Sequence, residues 1–237
     1  MIHHLKTLIK KLLLQKIEIP FMDESLKRLK KAGLQPSLWV DVGAYQGEMA
    51  AMLRQTWPEA TGVCFEGQAH ALAHLQRRFK NDSKVTVFGK LAGSASKEGV
   101  VLHGQETSAS VLEEHVHPQS RSQQVDMTTL DEEISKIAPT PKETLIKIDT
   151  QGYELEVLKG AEGLLRTTGG LILELNLIEL HLGVPLADEV ISWLKTRGFQ
   201  MFDIAGLTRR PRDRALWQAD FIFVPANSPL RSNKSYY

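Results

Sequence analysis

Several absences narrow this chain before any motif is read. A single cysteine, Cys64, stands among 237 residues. One thiol cannot close an internal disulfide, so a disulfide-stapled secreted scaffold is excluded and a reducing, cytoplasmic setting is expected. Cys64 falls inside an apolar run, where a thiol packs as a small hydrophobe. Neither charge dominates: 29 Lys and Arg against 28 Asp and Glu leave +1. Nucleic-acid binding usually needs a clear basic excess, so no nucleic-acid partner is expected. No apolar stretch is long enough for a membrane span. The N-terminus lacks the apolar core and small-residue site of a signal peptide. The eight histidines form no zinc pattern, since His70 and His74 share helical spacing but find no third ligand. No internal repeat is visible.

What remains is an α/β chain with 42% hydrophobic residues, enough for a substantial core. The most informative stretch is Leu38-Trp-Val-Asp-Val-Gly-Ala-Tyr-Gln-Gly47, followed by Glu48-Met-Ala-Ala-Met-Leu53. It reads as strand, glycine loop, helix, the build of a nucleotide-type pocket in a doubly wound sheet. Gly43 permits a tight turn and close approach to the backbone. Asp41 is expected at the tip of the strand, where a ligand would sit. A dinucleotide fingerprint would place glycine where Tyr45 stands. A carboxylate with no pyrophosphate cradle suits a cationic ligand such as S-adenosylmethionine. Glu66 closes the second apolar run, Thr61 to Phe65, and can accept from both ribose hydroxyls. NAD sites use the same device, so Glu66 does not separate the two cofactors. The plain alternative is a glycine turn with Asp41 as a helix cap.

Strands are predicted over Leu38–Val42, Thr61–Glu66, Lys84–Phe88, Thr144–Asp149, Leu171–Leu175, Phe199–Ile204 and Asp220–Val224, with short candidates at Val100–His103 and Val125–Thr128. Helices alternate with them over Asp23–Lys31, Glu48–Thr56, Ala69–Phe79, Leu130–Ile137, Glu154–Arg166 and 186–197. That alternation implies a parallel sheet, and the last two strands, with no helix between, an antiparallel edge. Residues 1–35 read as a helical appendage, 36–225 as the main domain, and 226–237 as a frayed tail. Within 2–17, Leu5, Leu8, Ile9, Leu12, Leu13 and Ile17 share a face opposite four lysines. Packing on the domain or on a second subunit is the favoured reading, and peripheral membrane contact the alternative. The polar stretch Gly89–Gln124 reads as a long binding loop or lid.

Residues 143–161 hold the second constellation. Asp149 ends a strand, Gly152 lets the backbone pass a bound group, and Lys147 shares a face with Asp149. A lysine in a central strand needs a partner, and Asp149, Glu174 and Asp126 are candidates. A purely structural buried ion pair is the competing view.

These blocks together resemble the FkbM-type methyltransferases. The matching pieces are Val40-Asp41-Val42-Gly43-Ala44 with Gly47, Phe65-Glu66, Thr129-Leu130-Asp131-Glu132, Ile146-Lys147-Ile148-Asp149 with Gly152-Tyr153-Glu154, Leu158-Lys159-Gly160-Ala161, Leu173-Glu174, and Asp220 to Val224. The resemblance spans roughly residues 36–225. It departs from the usual pattern at Tyr45, Gly67 and Gln151. It implies the class I methyltransferase fold, a Rossmann-like seven-stranded sheet, and S-adenosylmethionine as cofactor. Asp41, Gly43, Ala44, Tyr45 and Gly47 would then hold the methionine end, Glu66 the ribose, and Leu91-Ala92-Gly93 would pass near the adenine. The reaction implied is O-methylation of a hydroxyl on a small molecule or sugar. Asp149 is the expected general base and lies in the cofactor site as well, with Glu174 and His181 behind it. Magnesium, used by some sugar O-methyltransferases of similar fold, is a minority expectation, because no local spacing makes a closed metal site. Two alternatives stand beside this: a nicotinamide-dependent oxidoreductase, and a binding protein that has lost turnover. Arg209, Arg210, Arg212 and Arg214 read either as a grip for an anionic acceptor or, preferably, as a solvated charge run.

Overall fold

Strands β1 (Leu38–Val42) and β7 (Thr144–Ile148) are buried at every position. Continuous burial of this kind marks central parallel strands covered on both faces. The computed structural model describes residues 20–104, 109–113, 122–179 and 181–235. The helix expected over 2–17, with its two candidate surfaces, lies outside them, as does part of the polar stretch.

The remaining strands of the main sheet are β2 (Thr61–Phe65), β3 (Val85–Phe88), β8 (Thr168–Asn176), β9 (Phe199–Arg209) and β10 (Leu216–Pro225). Their order is β3-β2-β1-β7-β8-β10-β9. The first five strands are parallel, and β10 runs antiparallel to both β8 and β9. Strand order therefore reverses between β1 and β7, where Asp41 sits beside Lys147 in register. That neighbourhood is where open α/β sheets bind ligands.

Helices α1 (Met22–Ala32), α2 (Glu48–Thr56) and α3 (Ala69–Phe79) cover one face. Leu26, Leu29, Leu53 and Leu75 pack there on Trp39, Leu145 and Ile172. Helices α4 (Leu130–Ile137), α5 (Glu154–Lys159) and α6 (Ala187–Thr196) cover the other, with Leu130, Val157, Leu158 and Leu194 on Val40, Ile146 and Leu173. Each fully buried Leu is worth about 1.5–3 kcal/mol of transfer free energy. Cys64 is part of this core, as its apolar context predicts. Gly33, at φ 111°, closes α1 in the left-handed conformation.

Three elements differ from expectation. The short strand candidates at Val100–His103 and Val125–Thr128 are each three residues longer at their N-terminal ends, as β5 (Lys97–His103) and β6 (Ser122–Thr128), and with β4 (Leu91–Ala92), which was not expected, they form a second sheet in the order β4-β6-β5. Both long strands of this ribbon are largely exposed, so their composition carries little of the apolar alternation that marks a strand. The helix expected to run to Arg166 stops at Lys159. Gly160 passes so close to Gly93 that a Cβ there would lie 1.9 Å from the Gly93 carbonyl oxygen. Asp131 then restarts the chain, its carboxylate accepting from the N–H groups of Gly163 (2.7 Å) and Leu164 (2.8 Å) at a short 3-10 turn, Leu164–Thr167. The tail, finally, holds a 3-10 turn at Pro229–Arg231 whose Leu230 packs against the core.

Candidate active site

A cavity of about 470 Å³ opens beyond the carboxyl ends of β1, β2, β7 and β8, a size ordinary for a small-molecule site. At one end lies Glu66. Its Oε2 accepts from the Tyr45 N–H and its Oε1 from the Gln68 N–H, both at 2.7 Å. Burial pushes the Glu66 carboxyl up, and the N–H groups of Gln68, Tyr45 and Gly67 oppose it. The two oxygens together offer more acceptor sites than these N–H groups fill, which leaves capacity toward the cavity. Gln68, Lys90, Leu91, Ala92, Leu102 and Tyr153 complete this end, with Ala109 and Val111 from the polar stretch. Lys90 reaches back to Glu133 at 2.7 Å.

Asp149 marks the other end, with Gln151, Glu174, Thr208, Trp217 and Gln218. Lys147 Nζ binds Asp149 Oδ2 at 2.9 Å. Gln151 Nε2 donates to Asp149 Oδ1 at 2.8 Å and to Glu174 Oε2 at 2.6 Å. Gln218 Nε2 donates to Gln151 Oε1 at 3.2 Å. Burial tends to raise the Asp149 carboxyl, but Lys147, Gln151 and Glu174 together hold it below its usual range. Glu174 is pushed up to about 9, first by burial and then by the negative charge of Asp149 and Asp220. Lys147 is buried, which disfavours its charge, yet Asp149, Asp41 and Asp220 outweigh that and keep it protonated.

The loop carrying these groups is held by its own residues. Gln151 adopts φ 53°, a conformation unusual for a residue with a side chain. Its carbonyl accepts from Ser110 Oγ at 2.9 Å. Buried Glu154 ties the loop from beneath, accepting at Oε1 from the Thr150 N–H (2.8 Å), Thr150 Oγ1 (3.1 Å) and the Gly152 N–H (3.0 Å).

Of the residues predicted for the site, Gly43, Tyr45, Glu66, Ala92 and Asp149 line one cavity. Asp41, Ala44 and Gly47 are not part of its lining. Asp41 belongs to β1 rather than its tip, and its register partners Cys64 and Lys147 place it on the α2-covered face. Neither of its oxygens has a hydrogen-bond partner among the described residues. Burial raises its carboxyl to about 6, with Lys147 opposing. Gly43, at φ 73°, passes close to the Asp149 carbonyl, which lies 1.9 Å from where a Cβ would be. Gly47 packs against Leu75, Arg78 and Phe79 of α3. Asp126 is no partner of Lys147, since it accepts from the Gly99 N–H on the small sheet. Asp220, which the sequence did not mark as a partner of Lys147, adds its negative charge to those of Asp149 and Asp41 in favouring the lysine's charged form. Asp220 has room because a Cβ at Gly206 would lie 2.1 Å from its carboxylate. His181 is fully buried and outside the cavity lining. The arginine loop turns away: Arg210 pairs with Asp213 at 2.6 Å, Arg209 donates to the Arg214 carbonyl, and Thr208 alone of residues 208–214 lines the cavity. Trp217 and Gln218 were also missed. They sit on a strand whose start was placed too late, and no local pattern marks them.

Among the described residues, no helix is long and apolar enough to cross a membrane, and no group of three or more His, Cys, Asp and Glu side chains could hold a metal ion. No curated protein matches the chain. Solved structures similar to it include a magnesium protoporphyrin IX methyltransferase from Synechocystis PCC 6803 with bound SAM (12% identity, 86% of this chain and 77% of that one, TM-score 0.48). Others are an rRNA methylase from Streptococcus thermophilus (13%, 85% and 94%, TM-score 0.47) and a precorrin-6y C5,15-methyltransferase from Geobacter metallireducens GS-15 (12%, 83% and 85%, TM-score 0.45). The model of the methyltransferase FkbM domain matches residues 41–201, well over half of the sequence. With that match and a seven-stranded Rossmann-like sheet whose carboxyl ends open on the cavity, this chain belongs to the FkbM methyltransferase family.

Proposed function

We propose that this chain transfers a methyl group from S-adenosylmethionine to a hydroxyl oxygen of a small molecule or sugar. The observation that carries the reading is that Glu66 and Asp149, at the carboxyl ends of β2 and β7, line one cavity. Glu66 would accept from the ribose hydroxyls, and the loop Gly43 to Tyr45 would back the methionine end. The charge of the site fits such a cofactor. Glu66 and Asp149 line it, and Asp41 and Asp220 lie behind them with one buried cation, Lys147, so a ligand bearing a sulfonium and an amine meets a negative field.

The cofactor would supply an electrophilic methyl: the C–S bond breaks with its electron pair going to sulfur as the acceptor oxygen forms the C–O bond. The protein's task is to hold the two reactants in line and to remove the hydroxyl proton. Asp149 is ionised at neutral pH and reaches the cavity, so it is assigned that proton. Thr208, Trp217 and Gln218 offer a polar, aromatic wall for the acceptor. None of the arginines at 209, 210, 212 and 214 lines the cavity, which favours an uncharged, hydroxylated acceptor over an anionic one.

Calorimetric titration with S-adenosylhomocysteine and, separately, with NADH tests the cofactor. Binding of the first and not the second is expected, and the reverse would overturn the assignment. Transfer of tritiated methyl from S-adenosylmethionine into fractionated cell extract, with mass spectrometry of the labelled product, then identifies the acceptor. Label recovered on nitrogen or carbon would remove the O-methyl assignment. Cofactor binding without label transfer would favour a chain that keeps the site and has lost turnover.

A further inference from the structure

The mechanism above uses Asp149 and leaves Glu174 without a task, although both reach the same end of the cavity. One nitrogen joins them. Gln151 Nε2 gives one hydrogen to Asp149 Oδ1 and the other to Glu174 Oε2, and Gln218 fixes the amide from behind. The other Asp149 oxygen is taken by Lys147. Among the described residues, the other groups whose charge acts on Asp149 or Glu174 are acidic: Asp220 on β10, Asp41 on β1, Glu66 beyond β2 and Glu154 on α5. Two carboxylates tethered to one amide, with a single lysine bonded to Asp149, do not both ionise at neutral pH.

Resting on the methyl-transfer reading, we propose that Asp149 and Glu174 form one proton-sharing carboxylate pair, in which Glu174 holds the proton and donates it toward Asp149, and Gln151 clamps the two together. Asp149 is the member that takes the acceptor's proton. Glu174 is a positioning residue: as a neutral donor it aims the Asp149 carboxylate, and once ionised it repels it. The pair then reports the charge at the transferring methyl, because a cation there stabilises a second negative charge beside Asp149.

The test needs no acceptor. The chain is labelled with carbon-13 at Glu and Asp side-chain carboxyls and titrated by NMR, with Glu174 assigned by Glu174→Gln or, if that variant does not fold, by backbone-to-side-chain correlation. Glu174 is expected to keep its proton at pH 7.5, and Asp149→Asn to move its titration down toward the ordinary carboxylate range. The titration is repeated with S-adenosylhomocysteine and with sinefungin, whose amine places a positive charge where the methyl sulfonium would be. Sinefungin is expected to lower the Glu174 midpoint by roughly one pH unit relative to S-adenosylhomocysteine. A purely structural pair would not distinguish the two ligands. Loss of the Glu174 proton below pH 6 in the free protein overturns the proposal. So do coincident curves with both ligands bound. Binding of neither ligand instead removes the methyl-transfer reading itself, while the titration of the free protein still decides whether the pair holds a proton.

Discussion

Glu66 spends one lone pair of each oxygen on a backbone N–H, which fixes its plane before any ligand arrives. Glu66→Gln turns one of these oxygens into a donor facing an N–H, and removes the charge that a ribose hydroxyl would meet. A hydrogen bond to a charged group is worth about 1.5–3 kcal/mol, so S-adenosylhomocysteine binding should weaken by roughly 10- to 100-fold in calorimetry. Asp149→Asn should act differently. It leaves one acceptor for the two donors Lys147 and Gln151 and cannot take a proton, but Glu66 at the other end of the cavity is untouched, so binding should survive while turnover falls by roughly 10²- to 10⁴-fold in the label-transfer assay. Unchanged turnover would take Asp149 out of the base role. At this scale the sequence was legible where a residue ends a strand beside a glycine, as Asp149 and Glu66 do. Asp41 shares the face of Lys147 and Asp149 but sits one residue inside the strand end, so it is buried behind the cavity lining and does not reach it. The sequence was silent at Trp217 and Gln218, which meet the cavity only because β10 inserts between β8 and β9.

The elements show why two of the family blocks are there. Thr129 caps α4, accepting from the Glu132 N–H at 3.1 Å, and Asp131 caps the turn after Gly160. Gly160 in turn gives its carbonyl to the Asp131 N–H at 3.0 Å and sits against Gly93. The Thr-Leu-Asp and Leu-Lys-Gly-Ala segments are thus halves of one joint that fixes α5 and the small sheet relative to each other. Asp131→Ala loses two N–H caps and should cost about 1–2 kcal/mol in urea unfolding, with cofactor affinity retained. Gly160→Ala should cost more, because its Cβ meets backbone rather than a flexible side chain. A midpoint equal to wild type in the glycine variant would contradict the packing at this joint. From sequence, the strand and helix centres were readable through burial and periodicity, whereas this joint was not. A glycine chosen for close approach looks the same as one chosen for a turn, and the helix pattern ran on through it.

On the scale of the whole molecule, the sheet buries several carboxyls whose folded titration lies above their unfolded one. Asp41 and Asp220 are raised to about 6 and Glu174 to about 9. A group raised in this way binds more protons when folded, so it lowers stability as pH climbs from its unfolded to its folded value. Asp149 works in the opposite sense: held low, it stabilises the fold above the usual carboxylate range, and that gain is lost on acidification. Lys147, held high, stabilises throughout neutral pH and loses its contribution only in strong alkali. Glu174→Gln isolates one of these effects, since the amide keeps the shape of the protonated acid and cannot ionise. The variant's stability relative to wild type should therefore rise with pH between about 5 and 9, with a slope of at most about 1.4 kcal/mol per pH unit. Below pH 4 the two proteins should differ by a constant amount. Urea denaturation of both proteins across pH 3 to 9 gives the difference directly. A flat difference over that range would mean that Glu174 ionises as readily folded as unfolded, and that the negative charge around Lys147 is relieved elsewhere in the cavity.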